Sequence, residues 1–449
     1  MGPEWVSIIA LVALFVIGTL LPINMGALAY VAAWLVGVYA LDLSEKEILA
    51  GVSGDLVLTL IGVTYLFAIA RNNGTVDLIV RSAVRAVGGR VALIPWVMFF
   101  VTALLTSIGA ASPAACAIIG PIALGFAGRY KINPLLMGMF VVHGAQGGGF
   151  SPISIYGTIT NSVMEENNLP SSEMTVFLAS LGVNLLMAVV LFVVLGGRRL
   201  MSMRADDLDD ELTDDTTTDG LRDGGGVSVR GGGSGTGTAT MTATRTTPAL
   251  GVRRDQVLTL VAFALVAVIA LAFDKNIGFV AITAAVVLAI LSPNEHKDAV
   301  KQVAWPTVLL VAGVSTYAAV LTEAKAPEFV GNWAAGLGAA VVGALVLCYV
   351  GGVVSAFASS TALLPVIIPI AVPLIANGGI GAATFVAALA VSSTIVDVSP
   401  FSTNGALMLA NRPDTISEPR YYKQILTYSV IVVVVGPLLV WAALILPGW

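Results

Sequence analysis

Two hydrophobic segments of this chain are broken by the same seven-residue pattern, Ser151-Pro152-x-Ser154-x-x-Gly157 and Ser399-Pro400-x-Ser402-x-x-Gly405, 248 positions apart. A polar break bearing proline and glycine, halfway through a membrane span, frees backbone groups that lipid cannot satisfy. It must be buried in protein or line a cavity. Two such breaks in corresponding places predict the binding site of a secondary transporter built from two repeats.

Composition agrees. With 57% hydrophobic residues, 11% charged residues and a mean hydropathy of +0.92, the chain reads as an integral membrane protein. The net charge of -5 says little about partners, and no nucleic acid is expected among them. Cys116 and Cys348 fall in apolar segments and read as small buried thiols. No basic residue precedes the first apolar run, so the N-terminus does not read as a secretory signal peptide.

Apolar spans are expected at about 5–22, 25–41, 55–71, 133–164 and 174–196, with counterparts at about 256–273, 276–292, 305–321, 382–410 and 425–447. Between the third and fourth spans of each set lies a longer apolar stretch, 91–128 and 335–376. Each is split by small and polar residues, at 107–113 and 355–361. The limbs 91–106 and 114–128 would be only ~24 Å long as helices, short of a ~30 Å hydrocarbon core. They predict re-entrant hairpins; two full but kinked spans are the alternative. With five spans and one hairpin per half and the N-terminus outside, only Lys46, Lys275 and Lys325 of 22 Lys and Arg residues fall on the outer side. An odd number of spans per half also inverts the second repeat.

The expected fold is therefore all-α: two inverted-topology repeats of five transmembrane helices each, with two re-entrant hairpins and two broken helices. The first repeat covers 1–197 and the second 255–449. The segment 198–254, with an acidic run at 206–211 and a Gly/Thr-rich tract at 224–247, is expected to be a disordered cytoplasmic linker. Positions 107–157 align without a gap on 355–405, with 13 identities in 51. Asn24-x-Gly26 likewise matches Asn276-x-Gly278, and Gly62-Val63-Thr64 matches Gly313-Val314-Ser315.

Half-helices are expected to start at Ser112-Pro113, Ser151-Pro152, Ser360-Thr361 and Ser399-Pro400, with serine as N-cap. Converging helix N-termini form an anion site without Arg or Lys; simple kinks packed against neighbours are the alternative. The expected substrate ligands are Ser112, Ser151, Ser154, Ser360, Thr361, Ser399, Ser402 and Asn404. Carbonyls freed around Gly109 and Gly148 are hard oxygen ligands for a small cation. With Ser107, Ser355, Ser359 and Asp397 they make the expected coupling-ion set; Gln146, Thr158, Thr394 and Thr403 complete the polar shell. Asp397 is a cation ligand, a proton carrier or a cap on the turn that follows it. His143 reads as a hydrogen-bonded packing residue. No cofactor is expected, and no metal beyond Na⁺.

At these residues the chain resembles the ion transporter superfamily, within it the divalent anion–sodium symporters, and most narrowly the bacterial dicarboxylate carriers of the malonate carrier type. The resemblance rests on Ser359-Ser360-Thr361-Ala362 followed by Pro369, on Ala111-Ser112-Pro113-Ala114 followed by Pro121, and on the glycine-rich break from Gly147 to Gly157. It implies an elevator mechanism and a homodimer. Scaffold parts at 5–90 and 255–332 would carry moving hairpin and transport parts at 91–197 and 333–447. Both tips lack the asparagine of the family motif, with Ser112 and Ser360 in its place and Pro113 in place of a threonine. The coupling ion is thus left open between Na⁺ and H⁺.

The function expected is cation-coupled symport of a small dicarboxylate such as malonate or succinate across the cell membrane, not enzymatic catalysis. A cation/H⁺ exchanger or metalloid efflux permease on the same fold is the alternative. A remote one is an intramembrane hydrolase using Ser151 and His143.

Overall fold

Without water to bond to, a backbone inside lipid is satisfied by helices, and helices dominate the computed structural model. It describes residues 2–86, 88, 90–170, 172–201, 203, 253–273, 275–336, 340–356, 360–378 and 380–447. The linker positions 204–252 and the expected coupling-ion residue Ser359 lie outside the described residues.

The unbroken spans of the first repeat are Pro3–Leu20, Met25–Leu41, Gly54–Asn72 and Glu173–Val194. Their counterparts are Arg254–Phe273, Ile277–Leu291, Trp305–Glu323 and Glu418–Leu444. Each expected hairpin is a pair of short helices, Leu93–Ser107 with Ser112–Arg129 and Ala340–Ser355 with Ser360–Gly378. Each patterned span is interrupted: Pro134–Gly148 resumes as Ile155–Glu166, and Ala382–Ile395 resumes as Thr403–Ala410. Among the described residues six helices are long and apolar enough to cross a bilayer.

Two helices lie where connecting segments were expected, Thr75–Ala86 and Ala326–Ala335, in matching places of the two repeats. Each follows a span and leads to a hairpin. The first is started by Asn73, whose Oδ1 accepts from the Thr75 amide at 3.0 Å and whose Nδ2 donates to Thr259 Oγ1 at 2.7 Å.

The short glycine motifs mark where the repeats cross. A Cβ on Gly62 would stand 2.7 Å from the Gly278 carbonyl, and one on Gly278 would stand 2.7 Å from the Thr59 amide. In the other crossing, a Cβ on Gly26 would run into the Leu309 carbonyl and one on Gly313 into the Gly26 carbonyl. Small residues let helix backbones approach this closely in a membrane. The flanking asparagines repeat the symmetry. Asn24 caps its helix and donates to the Pro306 carbonyl at 3.0 Å, while Asn276 caps its helix and donates to Asp55. Cys116 and Cys348 are both buried and free.

Candidate functional site

The hairpin tips and the span breaks meet. Within each repeat the first serine of the break is tied to the neighbouring tip. Ser151 Oγ donates to the Ser107 carbonyl at 2.9 Å, and Ser399 Oγ donates to the Ala356 carbonyl at 3.0 Å. The second serine does the capping. Ser154 precedes Ile155–Glu166 and accepts from the Gly157 amide, and Ser402 precedes Thr403–Ala410 and accepts from the Gly405 amide.

This corrects the expected helix starts. Ser151 and Ser399 sit in the loop before each half-helix and are not its N-caps, because Pro152 and Pro400 are followed by a tight turn rather than by helix. In the second repeat Ser399 Oγ holds that turn, accepting from the amides of Phe401 at 3.2 Å and Ser402 at 3.1 Å. Ser112 is a correction as well. It is the first residue of its helix, Ala111 is the N-cap, and no side chain caps there.

The Ser112 hydroxyl has another partner. Asn404 Nδ2 donates to Ser112 Oγ at 2.8 Å and to Asp397 Oδ2 at 2.8 Å. Asn404 is fully buried, and its Oδ1 has no hydrogen-bond partner. The repeat mates of this pair, Tyr156 and Ser360, both line the cavity between the tips. Ser360 Oγ also lies 2.7 Å from Ser355 Oγ and donates to the Ser393 carbonyl at 3.3 Å. The tip of the first hairpin is thereby joined to the broken span of the other repeat, and the tip of the second to the broken span of its own.

These contacts border a cavity of about 480 Å³, within the range of small-molecule sites. Of the expected substrate ligands, Ser112, Ser360, Thr361 and Ser402 line it, as does Asp397 from the coupling-ion set. Asn404 reaches it through Ser112 and Asp397. Ser151, Ser154 and Ser399 are not brought to the cavity; their hydroxyls are directed at loop carbonyls. Ser107, Gly109, Gly148 and Ser355 lie behind its wall. Ser107 Oγ donates to the Gly148 carbonyl at 3.2 Å, and Gly109 holds the tip turn at φ 106°, a conformation that favours glycine.

Tyr156 was not among the expected ligands, nor were Thr19, Asn24 and Thr307, which line the cavity from the unbroken spans. Tyr156 had a signal, since the gapless repeat alignment places it opposite Asn404. The two threonines had none beyond being polar at the ends of spans.

His143 is a packing residue, as its sequence context suggests. Asn184 Nδ2 donates to the Ser180 carbonyl, so Asn184 Oδ1 must accept from His143 Nδ1 at 2.8 Å. That leaves His143 Nε2 to accept from the Tyr428 hydroxyl at 2.6 Å. His143 and Ser151 are thus bonded to different partners, and the pair required for a hydrolase is not brought together. Gln146, one turn along, is fully buried with neither amide atom bonded.

Residues 1–149 match the family model of the dicarboxylate carrier protein MatC N-terminus, and residues 274–447 match that of the citrate transporter. The two ends of the chain are thus each similar to a carboxylate-transporter family, the dicarboxylate carriers in the first and the citrate transporters in the second. The first match ends inside the glycine break, and the second contains the whole of hairpin two and its broken span. The crystal structure of the Alcanivorax borkumensis YdaH transporter, reported to reveal an unusual topology, is similar to this chain with a TM-score of 0.55. The likeness covers 90% of this chain and 88% of that one at 13% identity, and it is a likeness of fold. No curated relative matches the chain in sequence.

Proposed function

We propose that this transporter moves a small dicarboxylate, of the size of malonate or succinate, together with a cation, Na⁺ or H⁺. The observation carrying this reading is the cavity between the tips. It is rimmed by Ser112, Ser360, Thr361 and Ser402 from both repeats, and Asp397 is its one lining carboxylate among the described residues. Hydroxyls and helix starts suit carboxylate oxygens. No Lys or Arg lines the cavity among the described residues, so a dianion beside Asp397 requires a bound cation or proton to balance charge. The carbonyls of Ser107 and Gly148 and the hydroxyl of Ser355 are the remaining oxygens of the proposed cation shell.

The cavity is walled both by unbroken spans, through Thr19, Asn24 and Thr307, and by hairpins and broken spans. Such a boundary fits a transport part at 91–197 and 333–447 moving past a scaffold at 5–90 and 255–332. A homodimer through that scaffold, in the cell membrane with the N-terminus outside and residues 198–254 in the cytoplasm, completes the proposal. The cavity-lining carboxylate of Asp397 favours one second reading, a cation/H⁺ exchanger in which no organic anion binds.

Uptake of labelled malonate and succinate into proteoliposomes, with Na⁺ and pH gradients imposed separately, tests this. Accumulation driven by one of the gradients is expected. Cation flux with no diacid uptake favours the exchanger and removes the dicarboxylate reading.

A further inference from the structure

A second pocket, of about 430 Å³, lies away from the transport cavity, where hairpin one leads into its broken span. Its walls come from four places: the turn after Ser112–Arg129, the start of Pro134–Gly148, the end of Glu173–Val194, and the start of Glu418–Leu444. Tyr421 pins two of these walls, its hydroxyl donating to the Pro134 carbonyl at 3.2 Å. Three basic residues line the pocket, Lys131, Arg199 and Arg420, and among its described lining residues none is acidic. Asn133, Thr415 and Gln424 add neutral polar groups, and Gln424 Oε1 is buried without a hydrogen-bond partner.

The placement of Arg420 is not what helix stability selects. Arg420 stands in the first turn of its helix, where the dipole disfavours a cation. Lys131 is held at φ 52°, in the left-handed region that few non-glycine residues adopt. Two guanidinium groups and an ammonium lining one concavity suit the oxygens of a doubly charged tetrahedral anion. The pocket also lies on the face where lysine and arginine concentrate, which in a membrane protein is the cytoplasmic one. Basic pockets between spans on that face hold phosphate-bearing headgroups.

We infer that Lys131, Arg199 and Arg420 form a phosphate-group site, separate from the transport cavity, filled by a phospholipid headgroup or by free phosphate. The site does not depend on what the transporter carries. An occupant there bridges hairpin one, its broken span and the last span, three elements that position the tips.

The test uses the full-length protein in nanodiscs and reads the thermal midpoint. Phosphatidylcholine discs are the baseline. Phosphatidylglycerol discs supply one probe, and inorganic phosphate added to the baseline discs supplies the other. A rise in midpoint with either probe is expected, shrinking as ionic strength is raised and absent from the K131Q/R199Q/R420Q variant. The probe that produces the rise identifies the source. Arg420→Gln alone is expected to weaken the response to that probe roughly tenfold, the scale of one charged hydrogen bond. It also removes a charge from an unfavourable helix position, so it keeps the test open should the triple variant fail to fold. No response to either probe, or a response that the Arg420→Gln and triple variants retain in full, overturns the site.

Discussion

Asn404 of the second broken span donates to the Ser112 hydroxyl at the tip of the first hairpin, 2.8 Å away. This crossed tie holds the first tip against the second repeat, and the candidate cavity opens beside it. Their repeat mates, Tyr156 and Ser360, line the same cavity.

Asn404→Ala is expected to lower uptake at least tenfold. The change leaves Ser112 Oγ and Asp397 Oδ2 without their donor. Each lost bond is worth about 1 kcal/mol, and about 1.4 kcal/mol is a factor of ten. Ser360→Ala is expected to act similarly, through its bonds to Ser355 and to the Ser393 carbonyl. Detergent-solubilised protein of both variants is expected to elute as wild type does on size exclusion; wild-type uptake by both removes these residues from the site.

Gly62→Ala and Gly313→Ala are expected to destabilise the fold without touching the cavity. Each added methyl meets backbone of the crossing helix, the Gly278 carbonyl in one case and the Gly26 carbonyl in the other. Overpacking of this kind costs about 1–3 kcal/mol. Thermal midpoints followed by size exclusion should fall in both, and by similar amounts, since the crossings are repeat mates. An unchanged midpoint in either contradicts the crossing.

Much of this fold was legible because hydrophobic length, glycine motifs and the repeat offset are properties of the sequence itself. Asn24, Gly26, Gly62 and their mates marked the repeat, although nothing local said that they sit at helix crossings or that Gly26 meets Gly313. The helices Thr75–Ala86 and Ala326–Ala335 were hidden because they are short and amphipathic, beside spans with far stronger signals. The site was legible as a neighbourhood, not as a list of ligands. Which serine of Ser-Pro-x-Ser caps the half-helix depends on the turn after proline, and that turn directs Ser151 and Ser399 to loop carbonyls instead of the cavity.

His143→Leu is expected to lower the thermal midpoint while sparing transport by the protein that remains folded. Its ring joins the first broken span to Glu173–Val194 and Glu418–Leu444 through Asn184 and Tyr428. Each buried polar group left unmet costs about 1–3 kcal/mol. Loss of uptake at an unchanged midpoint would instead place His143 in the transport chemistry.

Gln146→Leu should do the reverse. Its amide is fully buried with no partner for either atom, so an apolar side chain there relieves a desolvation cost. The midpoint is expected to hold or rise. If the amide serves a ligand of the occupied transporter, uptake falls in the same variant, and a scan with and without diacid separates the two effects.

Asp397→Asn removes the carboxylate that lines the cavity but keeps an oxygen facing Asn404. Uptake by this variant is expected to lose its dependence on the driving cation gradient. Unaltered gradient dependence would move the coupling ion elsewhere.

The central claim is that a dicarboxylate rests between the two tips. A cryo-electron microscopy map of the protein with malonate and the driving cation tests it most directly. Density for the diacid is predicted against Ser112 and Ser360, with Asp397 and Asn404 alongside. Bound malonate at any other place, with this cavity filled only by water, would contradict the account.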